Sequence, residues 1–294
     1  MSKTRSHSID MLTIELAKVA FDNICFADNL EIDKSRLMAI ELIREIVAIN
    51  DVANNLAKLK TIDNYTLGHS ISVCILSIVT GLSLNLDNDN LRDLALGALL
   101  HDIGKIHIKN SILNKPQILN GNEYKQIKRH SILGYEAIKN IEGFKQEIGW
   151  IIRDHHERYD GRGYPRGLSA KEIHIYPRIV SICDTYDALT TKRVYRCGIP
   201  VYQAVEYLLS MRKRQFDPEL VERFVGNLSI YPIGTIVKLQ SGHEGIVVES
   251  RRNNPTRPTV ELVRDLDGRF LNFRRQVDLS KTLNNGILSV IKAV

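Results

Sequence analysis

Residues 91–105 read LRDLALGALLHDIGK and indicate the architecture of the chain more clearly than any other segment. The first ten of these residues are mostly apolar and predict a buried helix, which ends where His101 meets Asp102. An imidazole and a carboxylate are therefore expected side by side at the end of a buried helix, at the edge of the apolar core. Imidazole nitrogen and carboxylate oxygen together suit Fe, Mn, Zn or similar ions. The two oxygens of Asp102 could bridge two ions about 3.5–4 Å apart.

Histidines elsewhere in the chain indicate whether the His101-Asp102 pair belongs to a metal site or has only a structural role. Taken alone, a His-Asp dipeptide or His69 is more often part of a hydrogen-bonded core, and two adjacent histidines are more often an exposed polar pair. Nine histidines are present, and five lie in contexts that suit a metal: His69, His101, His130, His155 and His156. Their joint occurrence favours a metal centre. Surface or structural roles are expected for the other four: His7, His107, His174 and His243.

A block at residues 154–165 reads DHHERYDGRGYP, and it is followed by RIVSICDTYDALT, RVYR and FDPELVERF. YTLGHS, HDIGK, LNKP and RHSILGYEAI precede it. In this order and spacing, the motifs resemble the HD-GYP family, a branch of the HD-domain metal-dependent phosphohydrolases. The resemblance extends from about Tyr65 to Phe224, more than half of the chain.

The resemblance implies a mainly α-helical HD-domain bundle around a metal cluster. Four residues match the ligands that HD proteins share: His69, His101, Asp102 and Asp184. Three more match the ligands that hold a second metal in this family: His130, His155 and His156. The implied cofactor is therefore two divalent ions, with Fe or Mn expected.

Substrate contacts follow from the same resemblance. Lys105 matches the lysine that contacts the scissile phosphate, so Lys105 and Asp102 are the expected catalytic residues. The resemblance also implies that Arg193 and Arg196 reach substrate phosphates and that Gly163, Tyr164 and Pro165 shape a loop at the substrate entrance. Asp63, just before the first metal-binding helix, is a candidate guanine contact.

Two positions depart from the family pattern. Tyr65 stands where some members carry a glutamate that holds a third metal, which favours a two-metal site. Val194 replaces a frequent proline and is expected to change the stiffness of its loop more than its chemistry.

The implied function is hydrolysis of cyclic di-GMP to pGpG, and on to GMP in some members, by a hydroxide that bridges the metals. Two alternatives stay open: a phosphodiesterase for another cyclic dinucleotide such as cyclic GMP-AMP, and a non-catalytic nucleotide-binding or scaffold protein. Diguanylate cyclases of the GGDEF type are candidate partners in bacterial second-messenger signalling.

Composition agrees with an ordinary globular protein. Of the 294 residues, 44% are hydrophobic and 25% charged, and the net charge of +6 fits an anionic ligand without requiring one. The four cysteines form no CxxC pair, so reduced core thiols are expected. Charged residues interrupt the first apolar stretch, and we expect a cytoplasmic protein with no membrane partner.

Three regions are predicted along the chain: an N-terminal helical region (1–60) that could dimerise, the catalytic domain (61–228), and a small β-barrel-like antiparallel module (229–294). Two hairpins are predicted in the last region, one from GTIVKL and GIVVES and the other from PTVELV and RFLNF. This module carries ten basic and six acidic residues but few aromatics, so no nucleic-acid partner is expected.

Local signals mark several helix starts. Asn120 with Glu123, and Ser169 with Glu172, resemble capping boxes. The first is followed by a single predicted helix, EYKQIKRHSILGYEAIKN. Asp217 before Pro218 predicts the start of another helix, with the aspartate as its cap.

Overall fold

The computed structural model describes residues 65–140, 145–191, 198–228, 230–250, 255–282 and 284–292. The described residues divide into two compact units: one includes those up to 198 together with 208–221, and the other includes those at 199–207 and from 222 onwards. The predicted N-terminal helical region lies outside the described residues. The predicted division into three regions stays a prediction.

Helices make up most of the first unit, as the sequence predicts. In the described residues the helices are α1 (Tyr65–Ser83), α2 (Asn88–Leu100), α3 (Asn110–Leu113), α4 (Gly121–Lys128), α5 (His130–Ile138), α6 (Gln146–Asp154), α7 (Ile175–Thr190), α8 (Val201–Ser210) and α9 (Pro218–Gly226). Short 3-10 turns cover Ile103–His107 and Ala170–Glu172.

Both predicted capping boxes are confirmed, at Asn120 and at Ser169. The Asp217 carboxylate accepts the backbone N–H of Glu219 at the start of α9, also as predicted. The prediction of a single helix after Asn120 is wrong, because a turn at Arg129 separates α4 from α5. There the Arg129 N–H donates to Gln126 O at 3.1 Å, a tight i to i−3 bond that interrupts the α-helical pattern.

The core of the first unit forms where apolar helix faces meet. α1 packs against α2 and α7, α2 also packs against α6, and α5 packs against α6 and the turn at Ile103–His107. One buried cluster contains Leu96, Leu100, Ile103, Ile138, Ile148 and Ile152. Burial of this apolar surface stabilises the arrangement of helix ends that carries the polar site. None of the described helices is both long and apolar enough for a membrane span.

Two of the cysteines confirm the reduced-core prediction, since Cys74 and Cys183 are buried free thiols. Burial raises the pKa of each thiol to about 12, so both stay protonated and unreactive at neutral pH. Cys25 and Cys197 lie outside the described residues.

The second unit contains an antiparallel sheet. Its described strands are β1 (Ile236–Leu239), β2 (Glu244–Glu249), β3 (Thr259–Arg264), β4 (Phe270–Asp278) and β5 (Ile287–Lys292), in the order β4-β3-β2-β1-β5. The two predicted hairpins are confirmed as the β1–β2 and β3–β4 pairs. β5, which pairs with β1, was not predicted, because most of its side chains are exposed and its sequence lacks a clear apolar alternation.

Candidate metal centre

Five helices place polar side chains at one point in the first unit. His69 comes from α1, the His101-Asp102 pair follows α2, His130 begins α5, the pair His155-His156 follows α6, and Asp184 lies within α7. Their ligand atoms form two groups, each with all atoms within 4.8 Å of one another: Asp102, His130, His155 and His156, and separately His69, His101 and Asp184. The structure thus brings together all seven predicted metal-binding residues.

Asp102 joins the two groups. Its Oδ2 lies 3.3 Å from His101 Nε2 and 3.8 Å from His69 Nε2, whereas its Oδ1 lies 3.5 Å from His130 Nε2. One carboxylate oxygen therefore faces each group. This is the arrangement expected of a carboxylate that bridges two ions.

Backbone carbonyls set the tautomers of three histidines. The Nδ1 atoms of His101, His130 and His155 lie at 2.7, 2.6 and 3.0 Å from carbonyl oxygens one helical turn earlier. A carbonyl can only accept, so each Nδ1 carries the proton. In the neutral rings, each Nε2 then offers a lone pair to the centre, as metal-binding histidines require.

Within the described ranges, the hydrogen bonds of these rings leave the lone pairs of His101 and His155 without an N–H or O–H donor from another residue type. His101 Nε2 is buried and makes no hydrogen bond. His130 Nε2 and His155 Nε2 lie 3.4 Å apart, with both lone pairs on the same side of the cluster. Two such acceptors repel each other unless a positive group lies between them. The donor set therefore fits a divalent cation of the kind that imidazole and carboxylate bind.

The carboxylates make the centre electronegative. Burial alone would raise the pKa of Asp102, but Lys105 and the nearby imidazoles outweigh it and hold this pKa well below its usual range. The pKa of Asp184 is likewise lowered against burial, through its contact with His69. The buried Asp102 and the partly exposed Asp184 thus stay ionised, and their negative charge favours a cation at this point.

Three histidines are kept neutral instead. Burial lowers the pKa of His130, and it lowers that of His155 further, with help from neighbouring imidazoles. Burial also brings the pKa of His156 to about 3. Because imidazole binds metals only when neutral, these rings are ready to act as ligands throughout the physiological pH range.

Asp187 is a functional residue that the sequence analysis missed. Its Oδ2 lies 2.7 Å from His69 Nδ1, on the side of the ring opposite Asp184, which approaches Nε2 at 3.1 Å. Burial would lower the pKa of His69, but these two carboxylates raise it to about 9. A signal was present in the sequence, because residues 184 and 187 are three apart and lie on the same face of a helix.

Lys105 and the loop after α6 lie beside the cluster. Lys105 Nζ contacts Asp102 Oδ2 at 2.5 Å, and the Tyr164 ring stacks on His156 with centroids 4.8 Å apart. A Cβ on Gly163 would lie 2.4 Å from Arg158 N, so only glycine permits this close approach. Pro165 follows through a cis peptide bond.

Glu157 anchors that loop and was also missed by the sequence analysis. Its buried carboxylate accepts backbone N–H bonds from Arg166, Gly167 and Leu168 at 2.6, 3.0 and 3.0 Å. Burial nevertheless raises its pKa. Of the predicted substrate contacts, Asp63, Arg193 and Arg196 lie outside the described residues.

Comparison with known families agrees with this geometry. The model of the HD domain family matches residues 47–220, and that of the KOW domain associated with HD domain matches residues 236–293. Among solved structures, Bd1817, an HDG"Y"P protein from Bdellovibrio bacteriovorus, superposes with a TM-score of 0.59 at 22% identity, over 76% of this chain and 73% of that one. That similarity concerns the fold alone.

Curated relatives share more sequence. The chain is 36% identical to cyclic di-GMP phosphodiesterase PA4108 from Pseudomonas aeruginosa, over 71% of this chain and 50% of the relative. It is 36% identical to the cyclic di-GMP phosphodiesterase response regulator RpfG from Xanthomonas campestris, over 64% and 52%. With 3'3'-cGAMP-specific phosphodiesterase 3 from Vibrio cholerae the identity is 32%, over 57% and 36%. The chain spans about half the length of the first two relatives.

Proposed function

The chain belongs to the HD domain family, and it carries the motifs of the HD-GYP branch. From this membership we propose that it is a metal-dependent phosphodiesterase of cyclic di-GMP. The product is pGpG, which the enzyme can cleave on to GMP. The observation that carries the proposal is the position of Asp102, with one oxygen toward each of two groups of imidazoles and carboxylates.

The proposed cofactor is two divalent ions. His130, His155 and His156 would hold one, His69, His101 and Asp184 would hold the other, and Asp102 would contact both. When bound, such ions lower the pKa of a coordinated water, so that hydroxide is available at neutral pH. They also offset the negative charge of a phosphodiester. A donor set of imidazoles and carboxylates without thiolates supports Fe or Mn.

The protein's own residues supply orientation and charge. Lys105 pairs with Asp102 and is half-buried, so its ammonium can reach a phosphate oxygen at the edge of the cluster and stabilise the charge that develops there. His156 and Asp184 are the partly exposed members of the cluster, and they mark the side on which substrate enters. The apolar helices behind the cluster exclude water from its other side.

No ligand of the predicted set is missing, which argues against a non-catalytic scaffold. Arg193, Arg196 and Asp63 stay predicted substrate contacts. A cytoplasmic location, dimerisation through residues 1–60 and association with GGDEF proteins rest on the sequence alone and also stay predictions.

The direct test is hydrolysis by the full chain loaded with Mn²⁺ or Fe²⁺. We expect conversion of cyclic di-GMP to pGpG, abolished by a chelator and restored by the metal. Chromatography of the nucleotides measures this, with 3'3'-cGAMP supplied in parallel at equal concentration. Faster cleavage of 3'3'-cGAMP would show that this nucleotide, rather than cyclic di-GMP, is the preferred substrate. Absence of linear product from both nucleotides, in protein shown to contain metal, would refute the proposal.

Asp187 supplies a second prediction. Because its carboxylate fixes the His69 ring, Asp187→Asn should weaken metal binding by about 10-fold to 100-fold, the usual effect of losing the hydrogen-bond partner of a ligand. Competition with a chromogenic chelator measures this affinity.

The matched control for Asp187 is Asp217→Asn, which removes a buried carboxylate that pairs with Arg178 and lies outside the cluster. This control should lose thermal stability and keep its metal affinity. Equal metal affinities in the wild type and Asp187→Asn would show that Asp187 does not support His69.

A further inference from the structure

Lys128 lies in an unusual position beside the metal centre. It ends α4, two residues before His130, and its ammonium nitrogen lies 4.7 Å from the ring centroid of Tyr124 and 4.8 Å from that of Tyr164. Tyr164 stacks on His156. Pairwise contacts thus connect His156 with Tyr164, Tyr164 with Lys128, and Lys128 with the exposed Tyr124.

The Lys128 ammonium contacts two aromatic rings rather than a carboxylate among the residues that the structure describes. Lys105, Lys115 and Lys145 each pair with a carboxylate, whereas no carboxylate in the described ranges forms an ion pair with Lys128. The two rings attract the cation through their electron-rich faces but do not neutralise it. They also restrict a side chain that would otherwise be flexible. A half-buried, pre-positioned cation of this kind is suited to bind an anion.

We propose that Lys128 binds the phosphate of the cyclic dinucleotide that does not react, an inference that rests on the proposed function. Such a substrate carries two phosphodiester groups. Only one can lie on the metal ions beside Lys105, so the other must lie outside the cluster. Lys128 contacts the Tyr164 ring, and that ring stacks on His156, so the ammonium lies beside the cluster where a second phosphate can be held. Tyr124 and Tyr164 act as positioning residues for the ammonium.

The test is steady-state kinetics of Lys128→Gln on two substrates. Cyclic di-GMP has two phosphates, and bis(p-nitrophenyl) phosphate has one. Loss of a charge-assisted contact should raise KM for cyclic di-GMP about tenfold, with kcat changed less than about twofold. KM for the one-phosphate substrate should change less than about twofold. Added salt should reduce the difference between the wild type and the variant, because screening weakens the contact in the wild type.

Two further variants serve as controls. Lys125→Gln removes the same charge from the last turn of the same helix at an exposed position, and it should keep the wild-type KM for both substrates. Lys128→Arg retains the cation and should recover most of the affinity. Thermal unfolding of each variant shows whether its fold is intact.

Each outcome decides the matter. A wild-type KM for cyclic di-GMP in Lys128→Gln would overturn this inference and leave the proposed function standing. Equal increases in KM for both substrates would also overturn it, because Lys128 would then act through the metal centre. If the wild type cleaves bis(p-nitrophenyl) phosphate but neither binds nor cleaves cyclic di-GMP, the proposed function fails and the inference fails with it.

Discussion

Replacing Asp102 by asparagine should lower the metal content of the protein below two ions per chain and reduce the turnover of cyclic di-GMP by about 10³-fold or more, about 4 kcal/mol of activation free energy. The reason is the double role proposed for this carboxylate. Its two oxygens face different groups of ligands, at 3.3 Å from His101 Nε2 and 3.5 Å from His130 Nε2. An amide offers one oxygen and no charge, so it cannot bridge two cations.

Metal analysis by mass spectrometry, on protein expressed in manganese-supplemented or iron-supplemented medium, measures the first effect. The matched control is Asp93→Asn, another buried aspartate on the same stretch of chain, which pairs with Lys145 rather than with the cluster. Asp93→Asn should lose stability but retain both ions. An Asp102→Asn protein with two ions and wild-type turnover would show that this carboxylate bridges nothing.

Gly104→Ala should have the largest effect on stability. A Cβ at this position would lie 1.9 Å from the carbonyl oxygen of His130 and 2.5 Å from the backbone nitrogen of Gly134. Both atoms belong to the backbone of α5, so the clash cannot be relieved by rotating a side chain. The helix must move away from the turn after Asp102, which costs about 3 kcal/mol in unfolding free energy. His130 moves with it, so we expect weaker binding of the ion that His130 would hold.

Urea denaturation and metal titration measure these two losses together. Gly121→Ala is the control, because nothing lies within 4 Å of a Cβ built there and alanine favours the helix that begins at this residue. It should be neutral or slightly stabilising. If Gly104→Ala unfolded at the wild-type urea concentration and kept its metal affinity, the close packing of α5 on the turn would not support the site.

Much of the fold could be predicted from local patterns. Capping boxes at Asn120 and Ser169, and the hairpins of the second unit, depend on residues a few positions apart, and the structure confirms them. The turn at Arg129 that divides α4 from α5 could not be predicted in this way, because every residue around it is compatible with a helix. β5 was missed for the related reason that its exposed side chains carry no clear apolar pattern.

The residues of the site also divide into those that a local motif identifies and those that only the folded structure brings into contact. Its seven candidate ligands could be named because each lies in a motif that the family resemblance identifies. The supporting contacts depend on distant partners: Asp187 reaches His69 across 118 positions, and Glu157 holds the loop at residues 166–168. Lys128 acquires its position only when α4 folds against Tyr164. Such contacts arise from tertiary packing, and spacing along the chain does not reveal them.

The Asp102 carboxylate is proposed to join two metal-binding groups. Anomalous diffraction at the manganese edge, from crystals of the full chain grown with Mn²⁺, tests this proposal most directly. We expect two peaks about 3.5–4 Å apart, one beside His130, His155 and His156, the other beside His69, His101 and Asp184, with Asp102 in contact with both. A single peak that Asp102 does not touch, or peaks at other places in the molecule, would contradict it.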